Sequence, residues 1–324
     1  PVLATRGNYN NHIGLPLTLM RLDDEHRYAV LEMGASKPGD IDELARIAVP
    51  DVGVITHAAG AHLEGFGSLD GVAATKGELY ASLPEDGIAV INADDAYADF
   101  WAGLAGDRRI IRFGLQAEAD VTAREIQLLQ DSSTFDLHTP IGTVPMTLPL
   151  SGQHNVMNAL AAAAAALAVD CALAPIQSGL MALKAAPGRL TRRRAACGAL
   201  VLDDTYNANP TSLRAALSVL AAHPAPRWMA LGNMNELGAG AEQAHVDAGA
   251  EAKAAGVERL FLLGDLAAHA ARGFGAGALV CDEMTMMIDG VSAALSEDAT
   301  LLVKGSRGAR MERLVQALNT EELH

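Results

Sequence analysis

The 324-residue sequence predicts an α/β protein with two domains, and three observations lead to this prediction. Short apolar segments alternate with longer helix-like segments, which is the order expected of a parallel sheet with helical crossovers. This order is interrupted between residues 120 and 150. There, two segments of alternating apolar and polar residues flank the turn Thr139-Pro140-Ile141-Gly142 and predict a small added β-sheet. The alternation resumes after the candidate hinge Pro187-Gly188, so we predict domains at residues 1–187 and 188–324.

The first domain contains four apolar segments that predict strands, the first of them short and buried. These segments cover residues 2–5, 28–33, 52–56 and 88–91. Helices are predicted at residues 13–22 and 38–48, and a further helix should begin after Ser68 and run to residue 83. We expect the strands to form a mostly parallel sheet, with more helices at 155–169 and 175–183.

The second domain repeats this pattern with five predicted strands. They cover residues 199–202, 228–231, 260–263, 278–280 and 301–303, and helical stretches separate them, for example at 211–222, 241–255 and 310–318. This order is typical of an open doubly wound sheet, in which ligands bind at the carboxyl ends of the strands.

Composition and charge narrow the class of protein. Half of the residues are hydrophobic, which is enough for well-packed cores. The formal net charge is −15, which argues against general binding to nucleic acid or to anionic membranes. The widely spaced Cys171, Cys197 and Cys281 form neither a disulfide framework nor a zinc pattern, and indicate free thiols in a reducing compartment. Without a long apolar run or a signal-peptide pattern, we expect a cytoplasmic protein that does not insert into membranes. The sequence does not imply an oligomer.

Candidate ligand-binding residues follow the strands of the first domain. Asn10 and Asn11 lie in a loop before a helix, which suits a carboxylate or a phosphate but is also common in ordinary turns. Glu32 ends an apolar strand, where a buried acid needs a partner: Mg²⁺ is one, and an ion pair or a helix cap is the alternative. His62 and Lys76 follow the next strand. Each alone is more typical of a loop or a solvated helix, but one site at the strand ends would collect them with Glu32.

Further candidates lie in the helix at 155–169 and in the second domain. Asn155 and Asn158 are one turn apart on one helix face, so they can bind a purine edge or a phosphate, or only cap the helix. Arg189 follows the hinge, where a guanidinium can bind a phosphate. The acids of Asp203-Asp204-Thr205-Tyr206-Asn207-Ala208-Asn209-Pro210 can hold a ribose hydroxyl, and Lys304-Gly305-Ser306-Arg307 offers cations and backbone donors.

Taken together, these segments resemble the Mur ligase family. The matching stretches run in order along nearly the whole chain: GNYNNHIGLPLTLMRL (7–22), YAVLEMGA (28–35), AHLEGFGSLDGVAATKGELY (61–80), GIAVINADD (87–95), HNVMNALAAA (154–163), APGRL (186–190), LDDTYNANP (202–210), GNMNELG (232–238) and LLVKGSRGARME (301–312). The resemblance implies a central, mostly parallel ATPase domain with a small added β-sheet, and a C-terminal Rossmann-like domain.

The resemblance also implies an activity. Members of this family use ATP to phosphorylate a terminal carboxylate, and the acyl phosphate is then attacked by an incoming amine. The GNYNNHIG and HLEGFGS stretches are most similar to the branch that adds D-alanyl-D-alanine to a UDP-N-acetylmuramoyl-tripeptide during peptidoglycan precursor synthesis. The sequence lacks Asp-Asn-Pro-Arg, which argues against the branch that adds a diamino acid.

Carried over by position, the resemblance implies roles for the candidate residues. Glu32 is similar to a Mg²⁺-binding acid, His62 to a histidine that helps bind a second Mg²⁺ and the reacting group, and Lys76 to a carbamylated lysine beside the metal. A catalytic role is implied for His62, Lys76 and Arg189. Contacts to ATP are implied for Asn155, Asn158, Arg189 and Asp204. Contacts to the substrates are implied for Asn10, Asn11, Tyr206, Asn207, Asn209, Lys304, Ser306 and Arg307.

One departure from the family pattern concerns the phosphates of ATP. The family carries a glycine-rich phosphate loop with Gly-Lys-Thr/Ser upstream of the first matching segment, and these 324 residues contain none. We therefore expect a truncated ligase that binds ATP poorly and turns over little. Two alternatives stay open: another Mur ligase or a folylpolyglutamate synthase-like enzyme, and a non-catalytic binding module or pseudoenzyme.

Overall fold

The computed structural model describes residues 1–59 and 63–323, without the side chains of Leu63 and Glu64. The chain forms two compact units, each built from several segments. The first comprises Pro1–Ile126, Phe135–Met146 and Val156–Leu180, and the second comprises Gln127–Thr134, Thr147–Asn155 and Met181–His324. Because each unit contains several segments, no single position in the chain separates them. The boundary expected at residue 188 stays a prediction.

The first unit contains two small parallel sheets. One pairs β1 (Val2–Ala4) with β2 (Tyr28–Val30), and the other has the order β3 (Val52–Ile55), β4 (Ile88–Asn92) and β5 (Arg109–Phe113). The parallel arrangement was predicted. The expectation that the first strand is buried was wrong for most of it, since only Leu3 of β1 is buried.

Helices surround these sheets. They are α1 (Gly14–Leu19), α2 (Asp40–Ala48), α3 (Leu63–Phe66), α4 (Leu69–Ala81), α5 (Ala98–Ala105), α6 (Gln153–Ala168) and α7 (Leu173–Met181). Helix α4 begins as predicted at Ser68, whose Oγ accepts a hydrogen bond of 3.1 Å from the backbone N–H of Gly71. Tyr80 on α4 and Trp101 on α5 are fully buried against Ala89 and Ile91 of β4, so these two helices enclose the core of the three-stranded sheet.

A third sheet interrupts the helical pattern, as predicted for residues 120–150. Its strands are β6 (Thr122–Leu128), β7 (Ser133–Thr139) and β8 (Gly142–Leu148), in that order. The turn between β7 and β8 is stabilised by Thr139 Oγ1, which donates to the carbonyl of Gly142 at 2.8 Å. The division into units passes through this sheet.

The second unit is built on a seven-stranded sheet. Its order is β13 (Ala278–Cys281), β12 (Arg259–Leu263), β11 (Arg227–Gly232), β14 (Thr300–Lys304), β10 (Leu200–Asp204), β9 (Thr191–Arg194) and β15 (Glu321–Glu322). The five strands from β13 to β10 are parallel, whereas β9 is antiparallel to both of its neighbours, β10 and β15.

Helices cover both faces of this sheet, which confirms the doubly wound prediction. They are α8 (Pro210–Ala221), α9 (Ala241–Ala254), α10 (Ala267–Phe274), α11 (Met284–Ala294) and α12 (Glu312–Ala317). Alternate residues of β10 separate the two cores: Leu202 packs with α8, α9 and α10, and Val201 packs with α11 and α12. Among the described residues, no helix has the length and apolar character needed to cross a membrane.

Candidate active site

The loops that follow β1 and β2 hold each other in place. The backbone N–H of Glu32 donates to Thr5 Oγ1 at 2.9 Å, and Asn10 Nδ2 donates to Glu32 Oε1 at 2.9 Å. The close approach requires glycine at residue 34, because a Cβ there would lie 2.8 Å from Asn10 Nδ2. The fold therefore brings together Asn10 and Glu32, two of the predicted site residues.

Glu32 is exposed, which corrects one step of the sequence argument. β2 ends at Val30, so Glu32 does not close a buried strand and does not need a cation to offset desolvation. Its carboxylate still offers hard oxygen atoms of the kind that Mg²⁺ prefers.

Asn11 has a local structural role. Its Oδ1 accepts hydrogen bonds from the backbone N–H groups of Ile13 at 3.1 Å and Gly14 at 2.9 Å, at the start of α1. These bonds form a turn stabilised by an asparagine side chain, which agrees with the alternative interpretation of the loop. A contact between Asn11 and a substrate stays a prediction.

Lys76 lies on α4, beside the loop that follows β3. Its Nζ donates to the backbone carbonyl of His57 at 2.7 Å. Burial lowers the pKa of Lys76, and the negative charge of Asp95 opposes this shift. Burial also lowers the pKa of His57, with Lys76 adding to the effect and Asp95 opposing it. A lowered pKa favours the neutral amine, which is the nucleophilic form of a lysine.

Helix α4 is fixed by close contacts on both sides of Lys76. The hydroxyl of Tyr80 accepts from the backbone N–H of Ile55 at 3.1 Å and donates to the carbonyl of Val90, so it ties α4 to both β3 and β4. Burial raises the pKa of Tyr80, which keeps this hydroxyl protonated. Gly77 allows α5 to approach, because a Cβ there would lie 2.4 Å from a methyl carbon of Leu104. These contacts hold Lys76 near the ends of two strands.

Asp95, for which the sequence predicted no role, organises the same region. Its Oδ2 accepts from the backbone N–H of Ala58 at 2.7 Å, and Asn92 Nδ2 donates to the carbonyl of Thr56 at 2.7 Å. These bonds join the loops that follow β3 and β4. The segment Asn92-Ala93-Asp94-Asp95 directly follows a strand, and that position was the signal available in the sequence.

His62 lies outside the described residues, so the structure does not place it. Among the residues that are described, no three or more His, Cys, Asp or Glu side chains form a group that could hold a metal ion. The chemistry of the exposed Glu32 carboxylate suits Mg²⁺, and an unmodified Lys76 does not, because its ammonium is a cation. Lys76 would become a suitable ligand only when carbamylated.

In the second unit, Lys304 and Asp204 end neighbouring parallel strands and lie side by side in register. Lys304 Nζ donates to Asp204 Oδ2 and, at 3.0 Å, to the carbonyl of Asn207. The other carboxylate oxygen of Asp204 accepts from the backbone N–H of Leu190 at 3.2 Å. Lys304 is 1% exposed, so this pair is part of the protein interior.

Arg189 and Tyr206 lie next to this pair. The guanidinium of Arg189 stacks over the ring of Tyr206, 4.2 Å from its centroid, and Arg189 is exposed. The backbone N–H of Tyr206 donates to the carbonyl of Gly188 at 3.0 Å. Gly188 has a φ of +70°, which favours glycine at this bend. The bend at the predicted hinge therefore positions the exposed guanidinium of Arg189 over the ring of Tyr206.

The other predicted residues of this edge have mainly structural contacts. Asn209 forms a capping box with Ser212 at the start of α8, and Asn207 Oδ1 accepts from the backbone N–H of Ala208 at 2.8 Å. Ser306 Oγ donates to the carbonyl of Ala208 at 3.2 Å, whereas Arg307 is exposed in the turn that follows β14. Substrate contacts of these residues stay predictions.

Asn155 and Asn158 lie in the first turns of α6, as predicted. Asn155 Nδ2 donates to the carbonyl of Ser151 at 2.8 Å, and Asn158 is exposed. The preceding residue, His154, is half-buried. Burial lowers the pKa of His154, while Asp204 raises it and Lys304 lowers it. His154 therefore interacts electrostatically with both charges of the buried pair, and the two effects on its pKa oppose each other.

Two protein families match the chain. The Mur ligase middle domain family matches residues 1–166, and the family described as Mur ligase, glutamate ligase domain matches residues 188–307. A UDP-N-acetylmuramoyl-tripeptide–D-alanyl-D-alanine ligase of Escherichia coli (strain K12) is 44% identical over 319 residues, which cover 98% of this chain and 70% of that protein.

Solved structures of similar proteins agree with this match. MurF from Acinetobacter baumannii is 37% identical with a TM-score of 0.92, over 98% of this chain and 70% of that one. A MurF ligase from Thermotoga maritima in complex with ADP is 26% identical with a TM-score of 0.86, over 98% of this chain and 73% of that one.

Proposed function

The chain belongs to the Mur ligase family, and we propose that it is a ligase of the MurF type, which uses ATP to join D-alanyl-D-alanine to a UDP-N-acetylmuramoyl-tripeptide. The observation that carries this proposal is the 44% identity to the E. coli ligase of that name over 98% of the chain. Because ATP and a UDP-linked precursor are metabolites of the cytoplasm, we expect the reaction to occur there.

The carboxylate of the tripeptide is a poor electrophile, so it must be activated before an amine can attack it. ATP would supply the phosphoryl group that converts the tripeptide carboxylate into an acyl phosphate, which the amine of D-alanyl-D-alanine then attacks with loss of phosphate. The protein must hold the two reacting groups together and neutralise the negative charge of the phosphates, since positioning and electrostatic stabilisation dominate phosphoryl transfer.

We assign Mg²⁺ binding to Glu32, His62 and carbamylated Lys76. Glu32 supports this assignment because its carboxylate is exposed and is oriented by Asn10 at 2.9 Å. Lys76 supports it because burial lowers its pKa, and a neutral amine is the form that adds carbon dioxide. Bound Mg²⁺ would neutralise phosphate charge during the transfer. Within the chain, Asp95 and the anchored helix α4 keep Lys76 at the strand ends.

We assign ATP binding to Asn155, Asn158, Arg189 and Asp204. The exposed guanidinium of Arg189 supports this, because its stacking on Tyr206 limits its motion and leaves its N–H groups free to bind phosphate. Arg189 would therefore also act in catalysis. Substrate contacts are proposed for Asn10, Asn11, Tyr206, Asn207, Asn209, Ser306 and Arg307, while the part played by Lys304 is argued separately below.

A ligation assay tests the proposed function. Purified protein would be given ATP, Mg²⁺ and UDP-N-acetylmuramoyl-tripeptide, and phosphate release would be measured with D-alanyl-D-alanine, meso-diaminopimelate or glutamate as the acceptor. Release that depends on D-alanyl-D-alanine is the expected result. Preference for diaminopimelate or glutamate would support another Mur ligase or a folylpolyglutamate synthase-like enzyme, and no release would support a non-catalytic protein.

The assay would use both the 324-residue chain and the complete product of its gene. We expect the 324-residue chain to bind ATP weakly and to turn over little, because it contains no Gly-Lys-Thr/Ser phosphate loop. Efficient ligation by the 324-residue chain would contradict that expectation but would leave the assignment to the MurF type intact.

A further inference from the structure

We propose that Lys304 is a positioning residue, which fixes Asp204 and the loop after β10 for nucleotide binding and does not itself contact a substrate. The inference rests on the proposed function, because it concerns the ATP contact assigned to Asp204. It differs from the role that the sequence suggested, in which Lys304 binds substrate directly.

Burial is the first argument. Lys304 is 1% exposed, although it lies at the carboxyl end of a strand, where ligands collect. Its Nζ has three donors, of which two are used by Asp204 Oδ2 and by the carbonyl of Asn207 at 3.0 Å. Because the ammonium is buried, a substrate carboxylate or phosphate would have to displace part of its surroundings to reach the third donor. Displacement of Asp204 would leave a carboxylate unpaired beside the ligand.

The sheet order is the second argument. β14 lies between β10 and β11, so residues that follow β14 can bind the loops of both neighbours. Lys304 holds the loop after β10 through Asn207. Ser306 Oγ donates to the carbonyl of Ala208 at 3.2 Å and accepts from the backbone N–H of Asn235 at 2.8 Å, in the loop after β11. The end of β14 and the segment that follows it therefore hold the two loops after β10 and β11.

The loop that Lys304 holds carries Asp204 and Tyr206, which lie at the proposed ATP site. Both residues are within the segment that Lys304 fixes, from Asp204 to Asn207. Tyr206 carries the guanidinium of Arg189 at 4.2 Å from its ring centroid. Without Lys304, the Asp204 carboxylate would lose its cationic partner and the loop would lose one of its anchors. The groups assigned to ATP would then no longer be preorganised.

The experiment is a double-mutant cycle in the complete ligase, with Lys304→Met and Asp204→Asn. We expect Lys304→Met to raise the KM for ATP by about 10-fold to 100-fold, as is common when a residue that orients a ligand contact is lost. The KM values for both peptide substrates should rise far less, because Tyr206 in the same loop keeps its backbone hydrogen bond to Gly188. Asp204→Asn should act in the same way, and the double variant should be no worse than the more severe single variant.

A KM for a peptide substrate that rises as much as the KM for ATP, or effects of the two substitutions that multiply, would overturn the proposal. Leu302→Ala is the matched control, because Leu302 lies on the same strand in the apolar core and is fully buried. It should lower the Tm without a selective change in the KM for ATP. A purely structural role of Lys304 would give the same pattern as this control.

If Lys304→Met alone does not fold, the double variant still decides the question, because removal of both charges leaves no unpaired buried ion. The double variant should then match Asp204→Asn in the KM for ATP and in both peptide KM values. Any further loss relative to Asp204→Asn would mean that Lys304 contacts a substrate. The unsubstituted ligase is assayed first, so that a missing ligase activity is distinguished from a wrong role for Lys304.

Discussion

Lys76 and Lys304 occupy comparable places in the two units, yet their surroundings differ. Each lies near the carboxyl ends of parallel strands and close to an acidic side chain. Lys76 is half-buried and donates to one backbone carbonyl, whereas Lys304 is fully buried and donates to a carboxylate and a carbonyl. Burial lowers the pKa of Lys76, so its neutral form is more accessible than that of an ordinary surface lysine.

The difference shows that position at a sheet edge does not determine the role of a lysine. The ammonium of Lys304 has a carboxylate partner, so its charge contributes to the interior of the second unit. Lys76 lacks such a direct partner among the described residues, since Asp95 acts on it as a nearby charge. The first arrangement suits an ion pair that holds a loop in place, and the second suits an amine that is modified.

The largest expected effect is on stability. Lys304→Met should lower the free energy of unfolding by about 3–5 kcal/mol, because it leaves Asp204 as an uncompensated, largely buried carboxylate. Glu32→Gln should change it by less than about 1 kcal/mol, because the hydrogen bond from Asn10 is exposed. Urea unfolding of the two variants measures this contrast, and equal losses would contradict it.

The second effect is on activity. Lys76→Met should lower kcat in the ligation assay on the order of 100-fold to 1,000-fold, if Lys76 takes part in charge stabilisation as a carbamate. Lys76→Glu restores a carboxylate on a shorter side chain and should retain more activity than Lys76→Met. Equal activity of both variants would argue against a negatively charged working form of residue 76.

A third and smaller effect separates capping from substrate binding. Asn209→Ala should lower the free energy of unfolding by about 1 kcal/mol, because it removes the capping box of α8. Asn209→Ser keeps a capping oxygen and should restore most of that stability. Should Asn209→Ser restore stability but still raise a substrate KM, Asn209 would have the substrate contact that the sequence suggested.

The smallest effect is a pH dependence in the second unit. His245 is buried, its Nε2 accepts from the backbone N–H of Met234 at 3.0 Å, and burial lowers its pKa. The unfolded chain therefore takes up a proton at a higher pH than the folded chain does. The stabilising contribution is complete above a pH of about 6.5, the usual value for histidine, and is lost as the pH falls through the lower folded pKa.

The measurement for this effect is urea unfolding at pH 7.5 and at more acidic pH for the unsubstituted protein and for His245→Gln. The substituted protein should lose less stability on acidification. An identical loss in both proteins would show that His245 does not contribute, and that other histidines with lowered pKa values, such as His223, account for the acid sensitivity.

The fold was largely predictable because most strands of the parallel sheets are apolar and most helices between them are longer than those strands. Several elements were not predicted, among them α5 and β5, and two of the others lack those signals. β9 has the sequence Thr-Arg-Arg-Arg and lies near the antiparallel edge of the sheet, where charged residues are common, and the two-residue β15 is too short to predict.

The candidate site was predictable only in part. Residue types after strands indicated Glu32, Lys76, Asp204 and Lys304, since the carboxyl ends of parallel strands share an edge. The pairing of Lys304 with Asp204 depends on β14 lying next to β10, although the two residues are 100 positions apart in the sequence. The bond from Lys76 to the carbonyl of His57 depends on backbone geometry. Neither the strand order nor that geometry can be read from the sequence.

The contrast between the two lysines is tested most directly by amine acetylation of the native protein, with peptide mass spectrometry at each lysine. Exposed Lys37, Lys184 and Lys253 serve as internal references. The account predicts that Lys76 is acetylated in the folded protein and that Lys304 is not, while both react after unfolding. Acetylation of Lys304 at the rate of Lys76 in the folded protein would contradict the account, because Lys304 would then be as available to ligands as Lys76.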